Sequence, residues 1–511
     1  MPEESPLRGG RSPCRQKRAG RPAPRGPGRF CADDPDALAR IRAALERADY
    51  AKRAVEVRKQ GSGTGAATDA HPLIRMFSRA QALDEDTARR ALDSLPLEKW
   101  AEAGLIALRD GMAQPLVKLA TYQGLVVASD IDWGPAAAAE SDVVMGLTSS
   151  TLWLAHFTIR RASRLTLDLG TGTGVQAMLA ARHSERVIAS DLNPRALEFA
   201  RFNAGLNGIS NIEFVEGDLF EPVEGTKFDL VVCNPPFVIS PGCQFLYRDN
   251  PLDGDAFVER VVHQIPRFLA EGGFGQIVCD WVQSAGQPWH LRLMRWCQRK
   301  GCDAWVLRAQ TKHPERYAQS NLMGYEGAEL ENAHADWMAH FERKGVQQIA
   351  FGVITLRRAS GRPNWFSADD LLPRLPVGAG SDVERGFALR DFLSTRREDR
   401  ALLAARLRAP PHLRVEPQLE PKSGGWALKG ARLSLTSGLS HPRRVDPALT
   451  RIVLGCDGSR PLGELLSEVA SAQGQSTDRL VARLLSAVRQ MIAHGFLWPV
   501  ASNERRPPPR A

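Results

Sequence analysis

The run LTLDLGTGTGVQAMLAARHSERVIASDLNP, residues 165–194, decides the fold. It opens on a short apolar stretch, Leu165–Leu169, passes through Asp168 into the glycines Gly170, Gly172 and Gly174 around Thr171, and continues as the amphipathic segment VQAMLAARH. Glycine tolerates left-handed backbone angles and lets a ligand approach the main chain, and a helix starting there presents free N–H groups. A turn that holds nothing is the plainer alternative, but strand, glycine triplet and helix in succession favour a nucleotide site. A dinucleotide fingerprint would need glycine at the sixth position from Gly170, where Val175 stands. Asp191 then ends the next apolar run, Val187–Ser190, followed by Leu192. A carboxylate about 20 residues past such glycines can accept both hydroxyl protons of a ribose.

Working outward, short apolar runs alternate with helical segments, as a doubly wound parallel sheet requires. The runs are Leu165–Leu169, Val187–Ser190, Ile212–Glu216, Leu230–Cys233, Gly275–Cys279, Ala304–Leu307 and Gln348–Leu356. They predict an α/β fold with a doubly wound, seven-stranded, Rossmann-like sheet. Asp218, followed by Leu219 in EGDLF after the third run, is either a turn-capping acid or an acceptor for an adenine amino group. Asn234-Pro235-Pro236-Phe237 directly follows the fourth run. The Asn side chain and the next carbonyl offer two acceptors in an arrangement that the prolines restrict. Such a pair suits an NH2 group with two hydrogens, and Phe237 can stack on the flat group that carries it. An Asn-Pro turn that merely ends a strand is the alternative.

DLGTGTG, SDLNPRAL, EGDLF and NPPF at successive strand ends resemble a class I S-adenosylmethionine-dependent methyltransferase. The NPPF motif resembles the subgroup that methylates planar nitrogens: release-factor glutamine, adenine amino and ribosomal RNA guanine methyltransferases. The longer run NPPFVISP is similar to that of the release-factor glutamine enzymes. The resemblance implies S-adenosyl-L-methionine as cofactor, with Asp168, Gly170, Thr171, Gly172, Gly174, Asp191, Leu192, Asp218, Leu219 and Asn234 around it. It implies that Asn234 and Pro235, supported by Pro236 and Phe237, hold the acceptor nitrogen, and that Asp168 orders the glycine loop or meets the methionine ammonium. The expected acceptor is a macromolecular NH2 group, protein glutamine slightly ahead of a nucleic-acid base, and a non-catalytic scaffold is the reading of another class. No dedicated general base is evident. Tyr247-Arg248-Asp249 reads as a substrate lid or a solvated loop, Trp281 as core, and His263 and His313 as structural or surface groups without metal-ligand spacing.

The flanks differ in composition. Formal charge is +9, but residues 1–30 hold eight Arg/Lys against two Glu and residues 503–511 three Arg against one Glu, so the body is nearly neutral. Strong binding of a phosphate backbone by charge alone is therefore not expected. Eight cysteines without a CxxC pair fit a reducing cytoplasm better than a disulfide frame or zinc site. No run approaches the roughly 18 apolar residues that span a bilayer, so no membrane partner is expected. Residues 1–30 and 503–511 read as disordered tails, and 31–130 as a helical, winged-helix-like module opening on one long amphipathic helix. The methyltransferase domain is expected over 131–358, a Pro/Gly/Arg-rich connector with one helical stretch near Leu389–Leu407 over 359–422, and a small winged-helix-like α+β module over 423–502.

Overall fold

The computed structural model describes Phe30 and residues 34–60, 71–131, 142–242, 248–249, 252, 254–298, 300–371, 378–474 and 476–500. The expected tails apart from Phe30, whose ring packs on Phe199 and Phe202, most of the GSGTGAATDAHP break, Tyr247 and Asp253 lie outside the described residues. The chain divides into two compact units, one ending at Asp370 and one comprising residues 371–511 with His156–Ile159.

The first unit is built on an eight-stranded sheet. Its strands are β1 (Ser163–Leu169), β2 (Ser184–Asp191), β3 (Ile212–Glu216), β4 (Phe228–Cys233), β5 (Leu269–Gln283), β6 (Cys302–Lys312), β7 (Gln348–Arg358) and β8 (Phe366–Asp370), in the order β8-β6-β7-β5-β4-β1-β2-β3. β7 alone runs antiparallel to its neighbours β5 and β6. The seven expected strands are all present; β8 adds an eighth, parallel to β6 with Ala304 opposite Phe366. It lies inside the expected connector, so the domain boundary moves from 358 to 370. The cause is the buried Asp303 carboxylate, which pairs with Arg357 and Arg362 and accepts the Trp365 N–H at 3.2 Å.

Chain order explains where a ligand site forms. From β1 the chain moves outward through β2 and β3, then crosses back to β4 on the other side of β1, and such a reversal opens a crevice at the carboxyl ends of the strands. Register brings those ends level: Leu169 lies opposite both Ser190 and Cys233, and Asp191 opposite Glu216. The helices connecting these strands begin on capping residues. α1 (Val175–Ala180) follows Gly174, and α2 (Pro194–Leu206) is capped by Asn193, whose side chain accepts the Arg195 N–H at 3.1 Å.

The N-terminal segment shares a core with this unit. Helix Pro35–Arg47 stops at Ala48, and Asp49 turns left-handed (φ 51°) before helix Tyr50–Gln60, so the single long helix expected here is two. The break lets Leu38, Ile41 and Tyr50 enter one cluster with Phe77, Trp100 and, from α2, Phe199 and Phe202. Two hairpins follow, Ile106–Arg109 with Met112–Pro115 and Lys118–Tyr122 with Leu125–Ser129. Asp110-Gly111 and Gln123-Gly124 all take positive φ, the tight hairpin geometry that twisted strands favour. The buried Asn203 amide on α2 accepts the Ala128 N–H at 2.8 Å and donates to the carbonyls of Ala128 and Thr173, joining the second hairpin to the glycine loop.

The second unit is ordered through most of what reads as connector. Helix Ala379–Ser394, helix Asp399–Leu403 and strand Arg406–Arg408 contribute Leu389, Leu402 and Leu407 to its core. The helical stretch expected near Leu389–Leu407 is thus the end of one helix, a second short helix and a strand. Hairpin Leu413–Lys422 with Gly425–Leu435 precedes helices Pro447–Gly455, Leu462–Ala472 and Thr477–Ala493. Leu480, Leu484, Val488, Met491 and Ile492 on the last helix are buried, and Gly495 beyond its end takes φ 78°.

Candidate functional site

Every predicted site residue lies on the level edge where β1, β2, β3 and β4 end. Asp168 is buried beneath the glycine loop; its Oδ2 accepts the Thr171 hydroxyl at 2.6 Å and the Ala177 N–H at 2.9 Å. It therefore orders the loop from below. Burial pushes its carboxyl up to about 7 against those two bonds. The Ser190 carbonyl, one strand over, accepts the N–H groups of both Gly170 and Thr171 at 2.9 Å. Gly170 and Gly172 take φ of 73° and 55° with open space where a side chain would start, whereas a Cβ on Gly174 (φ 81°) would meet Ala200 at 3.0 Å. The first two leave room above the loop, and the third allows α1 to pack on α2.

Asp191 projects across the same edge. One oxygen accepts the Gly172 N–H and the other the Asn193 N–H, both at 2.9 Å, and burial raises its pKa. A carboxylate has about four acceptor positions, and these backbone donors do not fill them all, which leaves room for a ligand hydroxyl. Asp218 and Leu219 follow β3, with Leu219 in a left-handed conformation (φ 49°) unusual for a branched side chain. Asn234 follows β4, and its Oδ1 is buried without a hydrogen-bond partner among the described residues.

These groups line a cavity of about 220 Å³ together with Leu192, Asn193, Pro235, Pro236 and the stretch Val143–Gly146. A second cavity of about 550 Å³ meets it at Met145, Thr148, Asn234 and Pro235. Phe237, Trp153 and Phe351 line this larger chamber, with the rings of Phe237 and Phe351 6.0 Å apart. Polar groups line it too. Asp280 on β5 lies opposite Phe351 of β7, and its Oδ2 accepts the Tyr317 hydroxyl at 2.5 Å. Tyr317 in turn accepts the Ile239 N–H at 3.2 Å. Burial pushes Asp280 up to about 7, with Tyr317 and Lys312 opposing the rise.

Sequence reasoning missed Asp280, Tyr317 and Arg260, which lines the smaller cavity. A lone acid inside the apolar run FGQIVCDWV was the readable signal for Asp280. Tyr317 and Arg260 had none, because helices distant in sequence carry them in. Arg248 and Asp249 line the larger and the smaller cavity respectively, with the Val238 N–H donating to the Arg248 carbonyl at 3.0 Å. Trp281 is fully buried in the core and stacks on Trp289 at 6.1 Å, so it does not flank a pocket. Cys233, Cys279, Cys297, Cys302 and Cys456 are buried free thiols, and no cluster of three or more His, Cys, Asp or Glu able to hold a metal exists among the described residues.

This edge falls inside residues 147–287, which match the methyltransferase small domain; residues 384–499 match a domain of unknown function (DUF7782). A release factor glutamine methyltransferase of Xylella fastidiosa (strain Temecula1) is 32% identical over 210 residues, 40% of this chain and 69% of its own. The chain belongs to the small-domain methyltransferase family. A release factor glutamine methyltransferase of Deinococcus radiodurans is 36% identical over 118 residues, 22% of this chain and 42% of its own. A ribosomal protein uL3 glutamine methyltransferase of Bradyrhizobium diazoefficiens is 35% identical over 127 residues, 22% of this chain and 39% of its own. The chain thus spans roughly two fifths to two thirds of the length of these relatives. Among the described residues, no helix is long and apolar enough to cross a membrane.

Proposed function

We propose that this chain is an S-adenosylmethionine-dependent N-methyltransferase that modifies a planar NH2 nitrogen of a macromolecule, with a protein glutamine side chain as acceptor. The observation that carries the reading is the Asn234 carboxamide, whose buried oxygen has no partner among the described residues and stands where the two cavities meet. A buried acceptor left unpaired costs about 1–3 kcal/mol, so its persistence points to a ligand donor. The relatives act on glutamine in release factors and a ribosomal protein by their names, which favours the amide over a base.

The donor set of the smaller cavity fits the cofactor. Gly170 and Gly172 leave the loop open, the spare acceptor positions of Asp191 suit ribose hydroxyls, and the Asp218 carboxylate suits an adenine amino group. When bound, S-adenosylmethionine supplies an electrophilic methyl group. Asn234 Oδ1 and the Pro235 carbonyl accept the two hydrogens of the incoming NH2, fixing the direction of its lone pair. Pro235 and Pro236 restrict the backbone there, so little freedom is lost when the acceptor docks. Phe237 offers a face to the conjugated plane. Hydrogen bonds to Asn234 strengthen as the nitrogen gains positive charge, which is selective stabilisation of the transition state.

The test is Asn234→Ala, assayed with tritiated S-adenosylmethionine and a lysate of the source cells from which the gene has been deleted. Calorimetric cofactor affinity should stay within about threefold while methyl transfer falls on the order of 10²–10³-fold. Label in the wild-type reaction should be released by protease and resist nuclease. Nuclease-sensitive label would replace the glutamine with a base, and a wild type that binds no cofactor would leave a scaffold.

A further inference from the structure

The larger chamber holds a group that methyl transfer as described so far does not use. Asp280 is buried between Cys279 and Trp281 on β5, and its carboxylate lines the same chamber as Asn234. Burying an acid costs several kcal/mol unless something compensates, and here the hydroxyl of Tyr317 alone bonds to it among the described residues. Tyr317 is fixed by the backbone of Ile239, two residues past NPPF. The acceptor loop and the carboxylate are therefore joined by one side chain.

We propose that Asp280, oriented by Tyr317, receives the proton that the acceptor nitrogen gives up after methylation. The inference rests on the methyltransferase reading above. An NH2 group whose nitrogen bonds to a methyl carbon becomes cationic; the carbon–sulfur bond breaks with its electron pair left on sulfur, and one N–H proton must leave. The Asp280 carboxylate takes that proton and becomes a neutral acid, and the nitrogen recovers a lone pair. The proton passes to water when product departs. Phe237, Trp153 and Phe351 also line the chamber, Phe351 as the cross-strand neighbour of Asp280, and this apolar surface makes a fixed internal acceptor more useful than bulk solvent.

The charged and titratable groups facing Asp280 are few. Tyr317 comes from helix Pro314–Asn321, Lys312 from the end of β6 and Arg248 from the segment after NPPF; Ile349 and Phe351 of β7 are apolar. Lys312 and the Tyr317 hydroxyl both favour the ionised carboxylate, and burial opposes them. With Asp280 titrating at about 7, the working form grows as pH rises through that value.

The experiment measures methyl transfer from tritiated S-adenosylmethionine into the gene-deleted lysate at pH 5.5 to 9, with cofactor binding followed separately by calorimetry. Asp280→Asn should lower the maximal rate roughly 10²-fold at unchanged cofactor affinity, and abolish the acid limb of the rate profile. Asp280→Glu should restore part of the rate together with that limb. Tyr317→Phe removes a bond that favours ionisation, so the limb should move to higher pH; carboxyl NMR of labelled Asp280 should report the same shift without any turnover. If Asp280→Asn fails to fold, the Glu and Phe variants decide. An Asp280→Asn rate within about threefold of wild type, or a limb that stays in place in Tyr317→Phe, overturns the assignment. Loss of transfer in Asn234→Ala with normal behaviour of Asp280→Asn would reject this role alone, whereas a wild type without transfer would reject the underlying reading.

Discussion

Three glycines of the loop share a backbone conformation but not a purpose. Gly174 cannot carry a side chain because Ala200 of α2 stands 3.0 Å from where its Cβ would be, while Gly170 faces open space. Both substitutions to alanine pay about 1–2 kcal/mol for a left-handed L-residue. Gly174→Ala should lower the melting temperature further than Gly170→Ala, because it also pushes helices apart. Gly170→Ala should lose cofactor affinity out of proportion to stability, which thermal unfolding and calorimetry on both variants would separate. Asp168 gives a pH prediction at the same scale. Its folded pKa is raised to about 7 from an ordinary carboxyl near 4, so between those values the folded chain keeps a proton that the unfolded chain has lost. Stability should therefore fall as pH rises from about 4 to about 7 and level off above. Asp168→Asn cannot titrate, and urea midpoints at pH 4.5 and 7.5 should differ less in that variant; a larger difference would contradict the burial argument. Asp280 titrates in the same window and leaves a residual slope.

At the scale of elements, α2 is the member on which the rest of the first unit depends. Its Phe199 and Phe202 enter the N-terminal core, and its Asn203 clamps the Leu125–Ser129 strand and the Thr173 carbonyl. Asn203→Ala leaves three buried backbone groups unpaired and should cost about 2–4 kcal/mol. Hydrogen exchange of Leu125–Ser129 should accelerate, and cofactor affinity should drop because the glycine loop loses its support. The strands were legible because buried parallel strands are continuous apolar runs, and DLGTGTG, SDLNPRAL, EGDLF and NPPF marked the ends of the first four. Two errors share a cause. The break at Asp49 and the strand Phe366–Asp370 are set by tertiary partners, the Phe77–Trp100 cluster and the buried Asp303, which no local pattern announces. The candidate site was legible to the same extent: the groups following β1 to β4 were found, whereas Asp280 inside β5 and the helix-borne Tyr317 and Arg260 were not.

At the scale of the whole molecule, all residues lining both cavities fall within the first unit. A chain ending at Asp370 should bind S-adenosylmethionine with the affinity of the full protein, as calorimetry would show. Transfer to the native acceptor is a separate matter. If the second unit recruits the substrate, the shortened chain keeps cofactor binding while its apparent KM in the lysate assay rises; an unchanged KM would assign recruitment to the first unit.

The meeting of two chambers at Met145, Thr148, Asn234 and Pro235 also bears on inhibitor design. A bridging compound, carrying an adenosyl thioether at one end and a primary carboxamide at the other, would reach both compartments. Tethering converts two modest affinities into one tight interaction when the spacer matches the span. Adenosine-binding enzymes without an adjoining second chamber would offer its amide arm nowhere to go, so selectivity would come from the acceptor side and not from the nucleoside pocket.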